Sequence, residues 1–469
     1  MNKKLSIGEK AAYGLGAVGK DMVYMLSASY ILYYYQDIMG VSAWAMGVIL
    51  LVARVFDAFN DPIMGVLVAK TKTRFGKFRP WLLIGTVTNA VILYLMFAAP
   101  PSLSGSGLIA YAAVFYILWG VTYTMMDIPY WSMIPAFTEG GRERENLSAL
   151  ARSCAGVGSA LITIVTVMAV AAIGKMAAGA GAADTEIERL GFRYFALIVS
   201  AIFILFIGIT CMKIKEKSTV DMETVSVKDM FKALIQNDQA MATVITIVLV
   251  NIAVYTTSNL VIYFFKYDFG GESWQSAYTI FNTFGGGVQI LSMMLFFPLL
   301  RKAFSTMKIF YICFISAIVG YAVLLSITFT DMQNVWFLLV PGFFIFAAVG
   351  ILNVLTTVFL ANTVDYGELK NDRRDESVIF SMQTFVVKLA SGIAAMVASV
   401  CLTVFRISSD EEAAVSVTQS SVLGLRMTMT ILPIIVLIAG VLAFKKKYIL
   451  NDEKLAEISE KLEAKKKQA

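Results

Sequence analysis

The residues best placed to do chemistry are carboxylates standing inside oily stretches. In VARVFDAFNDPIMG, Arg54, Asp57 and Asp61 follow at i, i+3 and i+7, on one face of a helix, with Asn60 and Asp61 one turn from Asp57. Two carboxylates one turn apart repel each other in a low dielectric. They need a cation between them, a proton on one of them, or the Arg54 guanidinium. With the amide oxygen of Asn60 they form an oxygen-lined site for a monovalent cation: Na⁺, Li⁺, or H⁺ carried on a carboxyl. Pro62 removes a backbone donor and frees a carbonyl one turn back. The plainer alternative is an Arg–Asp structural pair with Asp61 at a kink.

The second constellation is VTYTMMDIPYWSMIP. Around Asp127, Tyr123 and Thr124 lie at i−4 and i−3, and Tyr130 and Trp131 at i+3 and i+4. One face therefore carries a carboxylate, hydroxyls and flat aromatic surfaces. A carboxylate accepts strong hydrogen bonds from vicinal hydroxyls, and an aromatic ring covers the C–H side of a pyranose, so the pattern suits a sugar. Core packing is the competing reading of the aromatics. Asp21, beside Lys20, is a third isolated carboxylate. Arg152 and Lys388 are cations in other apolar stretches that could balance these charges, with a structural ion pair as the bland alternative. On insertion scales each such group costs ~2.5–3.5 kcal/mol at mid-bilayer, so it must face the interior, a partner or water.

The composition narrows the chemistry further. There is no histidine among the 469 residues, which excludes Ser-His and Cys-His pairs, histidine-ligated zinc and imidazole relays. Cys154, Cys211, Cys313 and Cys401 stand singly in apolar segments and read as packing residues. No metal cluster or nucleophile–base set appears, so an enzyme, a resident cofactor and a nucleic-acid partner are not expected. TRFGKFRP (Thr73–Pro80) reads as a turn bonded to inner helix ends, with phosphate binding as the alternative.

The elements that must position these groups are membrane helices. The chain is 58% hydrophobic and 15% charged, against about 45–50% and about 25% in soluble domains. The apolar segments predict twelve helices, at 11–36, 44–69, 81–99, 107–134, 147–174, 191–213, 241–265, 274–297, 308–328, 335–366, 378–405 and 421–444. With the N-terminus inside, every inner loop carries at least two Lys or Arg and no outer loop more than two. Both termini are thus expected in the cytoplasm, and the lipid bilayer is the surrounding partner. The polar stretch 214–240 separates an N-terminal bundle, 1–213, from a C-terminal one, 241–444, as in transporters built from two halves. Asn362, Asp365 and Glu368 read as gate or loop-latching groups. The tail 445–469 is expected to be solvated, with an amphipathic helix or lipid anchor as the alternative.

YGLGAVGKD, LVARVFDAFNDPIMG, TRFGKFRPWLLIGT, YILWGVTYTMMDIPYWSMIP, NTVDYGELK and QTFVVKLASG together resemble the glycoside–pentoside–hexuronide:cation symporters, a branch of the major facilitator superfamily, and within it the melibiose-type subgroup. The resemblance implies an all-α integral membrane protein with the major facilitator fold of two six-helix bundles. It implies symport of a small-molecule sugar, melibiose or a related galactoside, with Na⁺, Li⁺ or H⁺, in the bacterial inner membrane. It implies that Asp21 and Asp127 bond the sugar hydroxyls, Trp131 stacks on the ring, and Tyr123 and Arg152 lie near. Asp57 and Asp61 would hold the cation with Asn60 and Thr124, while Arg54 and Lys388 balance charge. Asn353 departs from the subgroup's tryptophan, so pentosides or glucuronides stay open, as does lipid transport within the superfamily.

Overall fold

The computed structural model describes residues 5–137, 141–179, 181–216, 227–271, 273–330, 334–371, 376–407 and 417–468. Among them are twelve long helices. The first six are α1 (Ile7–Tyr33), α2 (Ala43–Lys70), α3 (Arg79–Met96), α4 (Gly105–Ser132), α5 (Gly141–Ala178) and α6 (Asp184–Lys213). The second six are α7 (Asp238–Tyr263), α8 (Trp274–Leu291), α9 (Thr306–Thr328), α10 (Val335–Asn371), α11 (Glu376–Val404) and α12 (Gln419–Lys447). Eleven spans among the described residues are long and apolar enough to cross a membrane by themselves. The twelfth long helix, α1, is diluted by Glu9, Lys10, Lys20 and Asp21. A lipid core offers no water to the backbone, so long helices that bond every interior N–H internally are the structure this composition demands.

Local sequence sets the helix starts. Ser6 and Glu9 form a reciprocal capping box on α1. Asn237 caps α7, accepting the Ala240 N–H at 3.0 Å. The predicted outer loop 175–190 is shorter than expected, because Asp184 and Glu186 suit a helix N-terminus and Glu186 pairs with Arg189 at 2.7 Å one turn later. α6 therefore begins at Asp184.

The chain divides into two compact units, residues 1–224 with 407–415 and residues 225–406 with 416–469. Inside the first, α1 packs on α5 and α6, α4 on α2 and α3, and α3 on α6. Inside the second, α7 packs on α11 and α12, α10 on α8 and α9, and α9 on α12. The pairings repeat with a shift of six helices. The π-turns that end α1 (Tyr34–Ile38) and α7 (Phe264–Phe269) repeat the same way. The tail is not solvated throughout. It forms a helix, Asp452–Gln468, that packs on α10 with Ile458 and Leu462 buried, and Leu450 is buried just before it. Its near-helical apolar spacing produces one face for protein contact.

Candidate functional site

The predicted carboxylates gather in the first unit, on α1, α2 and α4. The centre of the first cluster is Lys20, 4% exposed. Its Nζ lies 2.8 Å from Asp127 Oδ1 and 2.9 Å from Asp21 Oδ2, and donates to Tyr123 Oη at 3.3 Å. The Asp21 contact is an ion pair and not a hydrogen bond, since the buried Asp21 Oδ2 has no hydrogen-bond partner among the described residues. Trp131 Nε1 donates to Asp127 Oδ1 at 3.1 Å, and Ser159 Oγ of α5 reaches Asp21 Oδ1 at 3.5 Å. The Lys20 ammonium stands 5.0 Å from the Trp131 ring centre and the Arg152 guanidinium 5.1 Å from it. Below them Tyr13 and Tyr130 stack at 4.5 Å, each hydroxyl donating to the other's backbone carbonyl at 2.5 Å, which ties α1 to α4.

This arrangement fixes two carboxylates as acceptors without neutralising both of them. Asp21 and Asp127 side chains are 19% and 27% exposed, so they remain reachable. Reachable carboxylate oxygens beside an indole ring offer charge-assisted bonds to hydroxyls and a flat surface for C–H groups. Of the cations expected to balance these carboxylates, Lys20 pairs with both, while Arg152 lies against the Trp131 ring. From its place beside Asp21, Lys20 is expected to snorkel or pair, and its long flexible stem lets it pair. What the sequence did not supply is its contact with Asp127 on another helix, which makes it a site residue.

The second cluster lies on the α2–α4 seam. Arg54 Nη1 is 3.3 Å from Asp57 Oδ2, with both residues 5% exposed, and the guanidinium sits 5.9 Å from the Tyr24 and Tyr116 ring centres. Thr124 Oγ1 of α4 donates to Asp61 Oδ1 at 3.0 Å. Asn60 is half-buried, and its buried Nδ2 has no hydrogen-bond partner among the described residues. Gly120 of α4 leaves room here, since a Cβ at that position would press on Asp57 Oδ1 and force that carboxylate to shift. The predicted set Asp57, Asn60, Asp61 and Thr124 is thus drawn from facing stretches of two helices, with Arg54 compensating Asp57. Lys388 belongs to the second unit, half-buried on α11, where Ser391 donates to its carbonyl at 2.7 Å.

TRFGKFRP proves to be a turn that binds an anion from its own chain. The Glu216 carboxylate accepts the backbone N–H groups of Lys77, Phe78 and Arg79 at 2.7, 3.0 and 3.1 Å, at the start of α3. Gly76, with φ +105°, supplies the left-handed bend that aims these donors. At the C-terminal end of α10, Lys370 Nζ reaches Asp238 Oδ1 at 2.5 Å, with Tyr366 donating to the same oxygen at 3.2 Å. A further pair escaped the sequence reading: Arg426 of α12 binds Asp268 of the α7 π-turn in bidentate fashion, both bonds 2.7 Å.

The profile of the family described as "MFS/sugar transport protein" matches residues 12–451. The raffinose carrier protein of Pediococcus pentosaceus is 27% identical over 474 residues, covering 97% of this chain and 72% of that protein. The lactose permease of Lactobacillus delbrueckii subsp. bulgaricus is 27% identical over 474 residues, covering 99% and 73%. Among solved structures the nucleoside transporter NupG superposes with a TM-score of 0.63 at 12% identity, over 93% of this chain and 99% of that one, a likeness of fold alone.

Proposed function

The chain belongs to the MFS/sugar transport family of membrane transporters, which are not enzymes, and from that premise we propose that it is a symporter that moves a glycoside with a monovalent cation by alternating access. The observation that carries this reading is the Lys20–Asp21–Asp127 cluster against Trp131. A buried cation holds two reachable carboxylates beside an aromatic wall, which matches the hydroxyl and C–H faces of a pyranose. Relatives named for raffinose and lactose support a glycoside, and both sugars contain a galactosyl ring. Melibiose or a related galactoside is the substrate we assign. The protein would lie in a bacterial inner membrane with both termini in the cytoplasm, its N-terminal bundle supplying the cation site and most sugar contacts.

In this reading Asp57 and Asp61, with Asn60 and Thr124, bind Na⁺, Li⁺ or H⁺, and Arg54 and Lys388 balance charge. Filling the site removes repulsion between carboxylates and tightens the α2–α4 seam. Thr124 and Asp127 are neighbouring turns of α4, so a cation that fixes Thr124 also fixes the sugar carboxylate. Linkage then requires the sugar to tighten the cation by the same factor.

One observation favours a second reading, a hexuronide. The exposed Arg152 guanidinium beside Trp131 has no carboxylate partner among the described residues and would pair with a uronate. Uptake by proteoliposomes, using galactosides, pentosides and glucuronides under Na⁺, Li⁺ or H⁺ gradients, decides between them. Asp57→Cys and Asp61→Cys are expected to abolish cation stimulation while sugar binding persists. Asp21→Ala and Asp127→Ala are expected to lose sugar binding at every cation concentration. Normal coupling in the first pair, or a less than threefold change in sugar affinity in the second, about 0.7 kcal/mol, overturns the assignment.

A further inference from the structure

The second unit contains a polar surface that the functions above do not use. Along α8, Gln275, Thr279, Asn282, Gly286 and Gln289 recur at alternating steps of four and three, and all five are half-buried. They form one stripe. On one side of it the helix is packed, with Phe265 5.9 Å from Tyr278 and 5.5 Å from Phe281, and with Phe346 5.4 Å from Phe281. On the other side it presents exposed Ile280, Ile290 and Leu291, suited to lipid.

The stripe is under-used chemically. Thr279 Oγ1 donates to Gln275 O at 2.8 Å and Asn282 Nδ2 to Tyr278 O at 2.9 Å, the back-bonds open to any polar helix residue. The Asn282 Oδ1 and the whole side-chain amides of Gln275 and Gln289 have no hydrogen bond among the described residues. At Gly286 an added Cβ would meet no atom within 4 Å. Unpaired amides on a membrane helix are costly against hydrocarbon, so this line of the helix must face water or a ligand. The stripe holds no charge, which disfavours a cation. Amides that donate and accept in one group match hydroxyls, which do the same. From Thr279 to Gln289 it runs about 15 Å at ~1.5 Å per residue, longer than a single hexose.

We propose that the Thr279–Asn282–Gln289 stripe of α8 is a second hydroxyl-binding surface, one that recognises the rings of a di- or trisaccharide. The inference rests on the sugar-transport reading and deepens it by giving the sugar rings beyond the galactosyl unit a site of their own. The test uses the full chain in proteoliposomes with methyl α-galactoside, melibiose and raffinose as probes. Asn282→Leu and Gln289→Leu should each raise the KM for raffinose at least tenfold and that for methyl α-galactoside less than twofold, with half-saturation by Na⁺ unchanged. Gly286→Met, which fills the open side and removes no polar group, should show the same selectivity and guards against misfolding of the leucine variants. Equal effects on all three sugars, or none, overturn the proposal. If these variants behave as wild type while Asp127→Ala abolishes uptake, the stripe is wrong and the sugar reading stands. A wild-type protein that moves none of the probes overturns both.

Discussion

Replacing Lys20 by Met removes the one ammonium that holds Asp21 and Asp127. At 2.9 and 2.8 Å each attraction is about 6 kcal/mol at an effective dielectric of ~20. Desolvation offsets much of that, and breaking a buried pair by deleting one partner costs a net ~3–5 kcal/mol. The loss arises less from missing contacts than from two carboxylates left facing each other without a counterion. At ~2.1 cal/mol/K of unfolding entropy per residue over 469 residues, the melting temperature of detergent-solubilised protein should therefore fall by roughly 3–5 °C. Calorimetric sugar affinity should drop at least tenfold, about 1.4 kcal/mol, because Asp127 loses the contact that positions it. Adding Asp21→Asn to Lys20→Met removes one orphaned charge, and it should return part of the lost stability without restoring sugar affinity. Lys20→Met with a melting temperature within about 2 °C of wild type, or a double variant less stable than the single, would refute the electrostatic account.

Two other contacts give independent tests. Glu216→Ala strands the N–H groups of Lys77, Phe78 and Arg79 and should cost about 1–3 kcal/mol. Hydrogen exchange of those three amides should speed up, and unchanged protection would remove the Glu216 cap from the account of this turn. Arg426→Met leaves Asp268, 2% exposed at its side chain, without its bidentate partner. It should lower stability by ~3–5 kcal/mol, with Asp268→Asn added to it recovering part of the loss. A melting curve superimposable on wild type would show the pair to be dispensable.

Contacts that follow helical spacing were legible early. Arg54 and Asp57 are three residues apart and pair as their spacing implies, and Trp131 donates to Asp127 four residues away. The Thr124–Asp61 bond joins two helices, and only the resemblance had put those residues in one set. The start of α6 was not legible, because hydropathy treats Asp184, Glu186 and Arg189 as loop, whereas a helix end welcomes acidic residues and an i, i+3 pair. Glu216 lies 139 positions from Lys77, and Arg426 lies 158 from Asp268. No periodicity connects residues at such separations.

By itself the sequence determined that the chain is a membrane protein of twelve helices and that its carboxylates occupy particular helix faces. Apolar content, loop charge and the 3.6-residue turn are local properties, and they act wherever the helices end up. Only the tertiary structure decided which charge answers which. It gave Asp21 and Asp127 to Lys20, not to Arg152, and it brought Gly120 against Asp57 so that two helices could close on one carboxylate. A buried charge is satisfied by whatever packing places within about 4 Å. That distance is set by how the helices meet, which no spacing along a single helix contains.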